Sequence, residues 1–220
     1  MGTPMIEYHS LSDMTAERLR SGIIFGDITL GTRITETEIA QTFGVSRVVV
    51  REAILMLQRE GLLIKERNRY TQVLTITPKD VTEILDLRIA IEQAAAKSCL
   101  RNPNFQTTIL PQLERCSAQI NEIKDPLNSE AILQKDQEFH HLLIISSDNV
   151  RLQSVWEELS SQMLVLLYRY ISAGCVMHYS HDAILDAMRR GDLRQVKHAL
   201  SVHIEETQEE LIRLFQDAAE

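Results

Sequence analysis

Residues Phe43–Leu63, FGVSRVVVREAILMLQREGLL, decide how the rest of the chain is read. Ser46 is a helix-capping residue type and Gly61 a helix-ending one, so the segment between them is predicted as one helix. Ala53, Ile54 and Leu57 give it a buried side, while Arg47 and Arg51, one turn apart, share another face. Just upstream, TETEIAQTF is a second, shorter helix. Thr35 can cap it, Glu38 three residues on suits a capping box, and Gly44 ends it. Two helices joined by FGVS form a helix-turn-helix signature. Downstream, LLIKERNRYTQVLTI alternates on both sides of ERNR and is predicted as a two-stranded wing. Upstream, SLSDMTAERLRSGIIFG is predicted as a helix with Leu11, Met14, Leu19 and Ile23 on its apolar face, followed by the loop DITLGTRI. Pro78 breaks the pattern and marks a boundary, dividing the chain into residues 1–76 and 77–220.

A helix that enters DNA needs a polar, basic first turn for phosphates and base edges, and apolar later turns to pack on its own domain. The helix after Ser46 meets both demands. The whole chain nevertheless carries a formal net charge of −8. The acidity is confined to the second part. Residues 1–76 hold 9 Lys+Arg against 9 Asp+Glu, and residues 77–220 hold 14 against 22. Within Phe43–Val73 six cations oppose three anions. DNA affinity depends on local phosphate neutralisation, so a basic face on an acidic molecule suffices.

Beyond residue 77 no strand-like alternation appears. About six helices are predicted, near 78–101, 105–123, 127–146, 149–172, 179–190 and 192–216, with the third and fourth central because they hold the apolar runs FHHLLII and MLVLL. The fold class expected is therefore mainly α: an N-terminal winged helix-turn-helix and a C-terminal all-α bundle. Aromatics make up only 5% of the chain, which leaves packing to aliphatic side chains. No apolar run reaches membrane-spanning length and no secretory signal is visible. Three scattered cysteines without a CxxC pair read as free thiols, so a cytoplasmic protein is expected.

Asp136 and His140 in DQEFHH are four residues apart, so a helix places them about 40° apart on one face, where they can share a metal ion. His141 points about 100° away and is excluded. His181, His198 and His203 follow. The last two are five residues apart, about 140° around a helix, and cannot both face one site. One histidine from each of the last two predicted helices would complete an N/O-rich set, suited to Zn, Ni, Mn or Fe before Ca or Mg.

The run from Gly31 to Leu63 resembles the winged helix of GntR-family bacterial transcription regulators, sharing Gly44, Val45, Ser46, Arg47, Val50, Arg51, Glu52, Ala53, Leu57, Glu60 and Gly61 with the family pattern. The resemblance implies that Ser46, Arg47 and Arg51 contact an operator, with Arg67 or Arg69 from the wing. Val48 and Val49 depart from it, standing where the family usually has Thr-Pro or Thr-Thr, and a valine can meet a thymine methyl but cannot donate a hydroxyl bond. LRIAIEQAAA, the DxxFHxxLI stretch and HxxILxAMxxGD resemble the FadR-type (FCD) ligand-binding domain of the same family. In its metal-binding members the ligands fall on Asp136, His140, His181 and His203, which implies a small organic acid completing the coordination. Arg88, at the family's LRxxxE position, and Arg169, among apolar residues, are candidates for the acid's carboxylate. Arg88 could equally pair with Glu92 on a solvated face.

The expectation is a homodimeric, ligand-responsive regulator, more readily a repressor, that binds operator DNA and holds a divalent ion, Zn or Ni before Mn or Fe. The rival is a helical-bundle metalloenzyme acting on a small organic acid. It lacks a general base beside the four ligands, and no enzyme activity is expected. A third reading makes the metal itself the signal.

Overall fold

The computed structural model describes residues 10–66, 70–123, 129–175 and 180–217. The chain divides into two compact units, Met1–Thr75 and Ile76–Glu220.

In the first unit α1 (Leu11–Ile24) starts at Ser10, whose hydroxyl accepts from the Asp13 amide while Asp13 accepts from the Ser10 amide. The buried side of α1 carries Ser12, Thr15, Ala16, Leu19 and Ile23 and packs on α3. Leu11 and Met14, expected on the apolar face, are 51% and 61% exposed. The hydroxyls of Ser12 and Thr15 replace them without penalty because both are satisfied. Ser12 bonds to Glu52 of α3, and Thr15 bonds to the Leu11 carbonyl at 2.7 Å. Arg20 adds a two-pronged contact to Glu60 at 2.6 and 2.7 Å.

Helices α2 (Glu36–Phe43) and α3 (Arg47–Arg59) are capped by Thr35 and Ser46. Gly44 between them has φ 68°, a left-handed conformation that glycine adopts without steric cost. The wing strands β2 (Leu63–Glu66) and β3 (Tyr70–Val73) pair antiparallel, Leu63 opposite Val73 and Glu66 opposite Tyr70. A third strand, β1 (Arg33–Ile34), joins the other edge of β3 where the sequence suggested only a loop. Arg67 and Arg69, expected to contact the operator, lie outside the described residues.

The second unit contains α4 (Pro78–Cys99), α5 (Leu110–Asn121), α6 (Ser129–Ser146), α7 (Val150–Ser172), α8 (Asp182–Arg189), α9 (Leu193–Glu205) and α10 (Gln208–Asp217), with a π-helical turn at Phe105–Ile109. Helix α4 has Pro at its first position and a Thr77–Asp80 capping box, and it packs on α6, α7, α9 and α10. It therefore shares the centre with α6 and α7, the pair expected there. The predicted sixth helix is two helices, broken after Glu205. No Gly or Pro marks the break. Glu205, Glu206, Glu209 and Glu210 place like charges four apart, each such pair costing a continuous helix roughly 0.2–0.5 kcal/mol. Among the described residues no helix is long and apolar enough to cross a membrane.

Candidate metal centre and nucleic-acid interface

Four side chains from three places in the second unit converge: Asp136 and His140 on α6, His181 immediately before α8, and His203 on α9. One ligand atom from each lies within 4.8 Å of the others. The His140 Nε2 atom is 3.2 Å from His203 Nε2 and 3.3 Å from His181 Nε2, and His181 Nε2 is 3.3 Å from Asp136 Oδ1. Ligands held 2.0–2.1 Å from one ion lie roughly 2.8–3.4 Å apart, depending on the angle between them. Hydrogen bonds alone satisfy the cluster poorly. His140 Nε2 can carry at most one proton toward two facing nitrogens, and both Asp136 oxygens and His181 Nδ1 are buried without a hydrogen-bond partner. The donor set, three imidazoles and a carboxylate with orphaned oxygens, fits a divalent transition metal.

Surrounding groups hold the ligands in place. Glu92 of α4 accepts from His140 Nδ1 at 2.7 Å, which fixes the tautomer that leaves Nε2 facing the cluster. Phe139 stacks on the His181 ring at 3.8 Å between centroids. Arg88 bonds to Glu92 at 2.7 Å through Nε. This pair is buried, not solvated, at 3% and 0% exposure. The second arm of Arg88 ends 4.0 Å from Asp136 Oδ2, with Nη2 unsatisfied. Arg169 on α7 also has an Nε without a partner, but no ion pair joins it to the cluster among the described residues. His141 and His198 are exposed and take no part. His203, the least buried of the four, also lines an open groove of ≈560 Å³ with His198, Arg190 and Glu206.

Charge in the cluster is divided unevenly. Burial works to raise the Glu92 carboxyl, but the charges of His140 and Arg88 hold it down at about 2. Asp136, also buried, is kept well below the ordinary carboxylate range by His140 and His181. Burial opposes protonation of His140, yet Glu92 carries it above the ordinary histidine value. His181 is lowered mainly by burial, and His203 falls to about 3 through burial and the neighbouring His140 charge. Within the cluster, a proton is therefore held more readily by His140 than by His181 or His203.

The roles of Glu92 and Phe139 were not read from the sequence. Glu92 had a usable signal, because Val81, Ile84, Leu85, Ile91 and Ala95 place the ridge through positions 88 and 92 on the buried side.

In the first unit Arg47 and Arg51 are 64% and 60% exposed and both converge on Glu36 of α2. Arg51 reaches it through Nε at 3.0 Å and Nη2 at 2.9 Å, and Arg47 through Nη2 at 3.5 Å. The Glu36 carboxylate thus accepts from both guanidiniums. Ser46 caps α3 through the Val49 amide at 3.3 Å.

Residues 11–73 match bacterial regulatory proteins of the gntR family, and residues 83–206 match the FCD domain. The uncharacterized HTH-type transcriptional regulator YdhC of Bacillus subtilis (strain 168) is 27% identical over 92% of each chain. A probable D-xylose utilization operon transcriptional repressor of Paenarthrobacter nicotinovorans is 26% identical over 81% of this chain and 79% of its own. The fold is shared with E. coli McbR/YncC, at a TM-score of 0.73, 20% identity and coverage of 95% of this chain and 99% of that one.

Proposed function

The chain belongs to the GntR family with an FCD domain and is a transcription regulator rather than an enzyme; from that premise we propose that it represses transcription as a homodimer whose hold on operator DNA is set by a small carboxylate effector bound beside a divalent metal. Asp136, His140, His181 and His203 are the proposed ligands, with Zn or Ni before Mn or Fe. The ion would offer a Lewis-acid contact to the effector's carboxylate. Arg88 would meet the same acid through its free Nη2, and Glu92 joins Arg88 to His140 in one chain of bonds. Metal and effector affinity then rise together by one common factor, as linkage requires. Arg169 is a candidate for a more distant group of the ligand. In the first unit Ser46, Arg47 and Arg51 are the proposed operator contacts, with Arg67 or Arg69 from the wing. Gene regulation of this kind places the protein in the cytoplasm.

The observation carrying this reading is the buried Arg88 Nη2, without a hydrogen-bond partner and 4.0 Å from Oδ2 of Asp136, one of the four clustered residues. A thermal-shift panel of sugar acids, hydroxy acids and dicarboxylates tests it. One acid at a hundredfold excess over Kd should stabilise metal-loaded protein by about 2.7 kcal/mol. It should shift chelator-treated protein less, and it should release a bound operator duplex. Arg88→Ala should abolish that release while the ion stays bound. A response equal in Arg88→Ala and wild type would sink the proposed role of Arg88.

The proton count gives a second check. Only His140 must lose a proton to ligate, and its value stands above the ordinary one. Metal affinity should be level above that raised value, where no proton is released, and fall about tenfold per pH unit below it, where each ion displaces one proton. Calorimetry in buffers of different ionisation heat counts the protons, and release of two or three contradicts the assignment. Glu92→Gln removes the charge that raises His140, so the fall should move to lower pH.

A further inference from the structure

Val48 is 64% exposed in the first turn of α3, beside Arg47 and one turn before Arg51. Its direction is informative. The buried residues of α3 are Val50, Ala53, Ile54 and Leu57. At about 100° per residue, Val48 lies almost diametrically opposite their mean direction. Arg51 is about 60° from Val48 and one turn on. Glu52 is also on the outer side, but it is bonded to Ser12 of α1. Leu55 points outward two turns along, beyond the first turn that meets base edges in a helix lying in the major groove. Val48 is thus the outward apolar tip of α3.

We propose that Val48 is a specificity-determining residue that reads the C5-methyl of a thymine in each operator half-site. The inference rests on the proposed operator-binding role of α3. Among the base edges in the major groove, the thymine methyl is the apolar group. A valine set against guanine or cytosine would instead strip water from donors and acceptors and return no bond. The flanking Arg47 and Arg51 supply the cationic frame that draws the helix into the groove, and Val48 chooses the pair it settles on.

The probe is the tightest duplex enriched by the full-length dimer from a random double-stranded library. Each thymine is then exchanged for deoxyuridine, which deletes only the methyl. For the wild type, one position per half-site should lose about fourfold in affinity, the effect of leaving one methyl group unburied. In Val48→Ser, whose fold is checked by its melting curve, the thymine and deoxyuridine duplexes should bind equally. If no deoxyuridine duplex loses affinity with the wild type, or if Val48→Ser keeps the same loss at the same position, the proposal is overturned. Failure to enrich any duplex removes the operator-binding reading itself, and this inference with it.

Discussion

Asp136→Ala, His140→Ala, His181→Ala and His203→Ala are each expected to empty a site that holds one ion per protomer in the wild type, whereas His141→Ala and His198→Ala should leave it full. The contrast follows from geometry. The four ligand atoms meet within 4.8 Å, while His141 and His198 are exposed outside the cluster. Elemental analysis of protein purified without chelator gives the count. Melting with and without chelator separates the metal's contribution from simple damage. The wild type should lose at least 2–3 kcal/mol on chelation if the ion is present at a hundredfold excess over Kd, and the four ligand variants should not respond. His140→Ala should be the least stable of them even without metal. Glu92 is fully buried and would lose one of its two partners, a loss worth roughly 1–3 kcal/mol. A His141 or His198 variant that empties the site would refute the ligand set.

The second large effect is expected at α3. Arg47→Ala and Arg51→Ala should each weaken operator binding by roughly tenfold to a hundredfold per half-site, with helix content and dimerisation unchanged. Where the lost contact is to phosphate, the slope of log K against log salt should flatten by about 0.9 per contact, twice that in a dimer. Arg51→Ala should be the more severe. It makes two of the three bonds that hold Glu36, and without it that carboxylate would face phosphate with one distant partner. Fluorescence anisotropy over a salt series measures both quantities, and unchanged affinity in both variants would mean that α3 does not enter DNA.

The helix-turn-helix was legible because its punctuation is local. Gly44 and Gly61 take positive φ, and Thr35 and Ser46 cap the helices that follow them. Strand β1 was not legible, since two residues cannot display an alternation. The face of α1 was misread because hydroxyls were counted as polar, although Ser12 and Thr15 are buried with their bonds made. Asp136 and His140 share a face by spacing alone. That His181 and His203, rather than His198, stand beside them is a matter of tertiary packing, which spacing along one helix cannot reveal. Four-residue spacing left Arg88 and Glu92 open to a solvated pair or a cavity-facing arginine; their core neighbours on α4 bury both.

The span of chain between the clustered histidines has a consequence for how the second unit is held together. His140 and His181 are 41 residues apart, and His140 and His203 are 63 apart. An ion joining them would close loops that, in chain-entropy terms, take roughly 4 kcal/mol of freedom from the unfolded state, as much as a disulfide over the same distance. The three cysteines are free, so this tie would need no oxidation and could form where thiols stay reduced. It would also be removable: acid or a chelator could unfasten α6, α8 and α9 from one another while every covalent bond stayed intact.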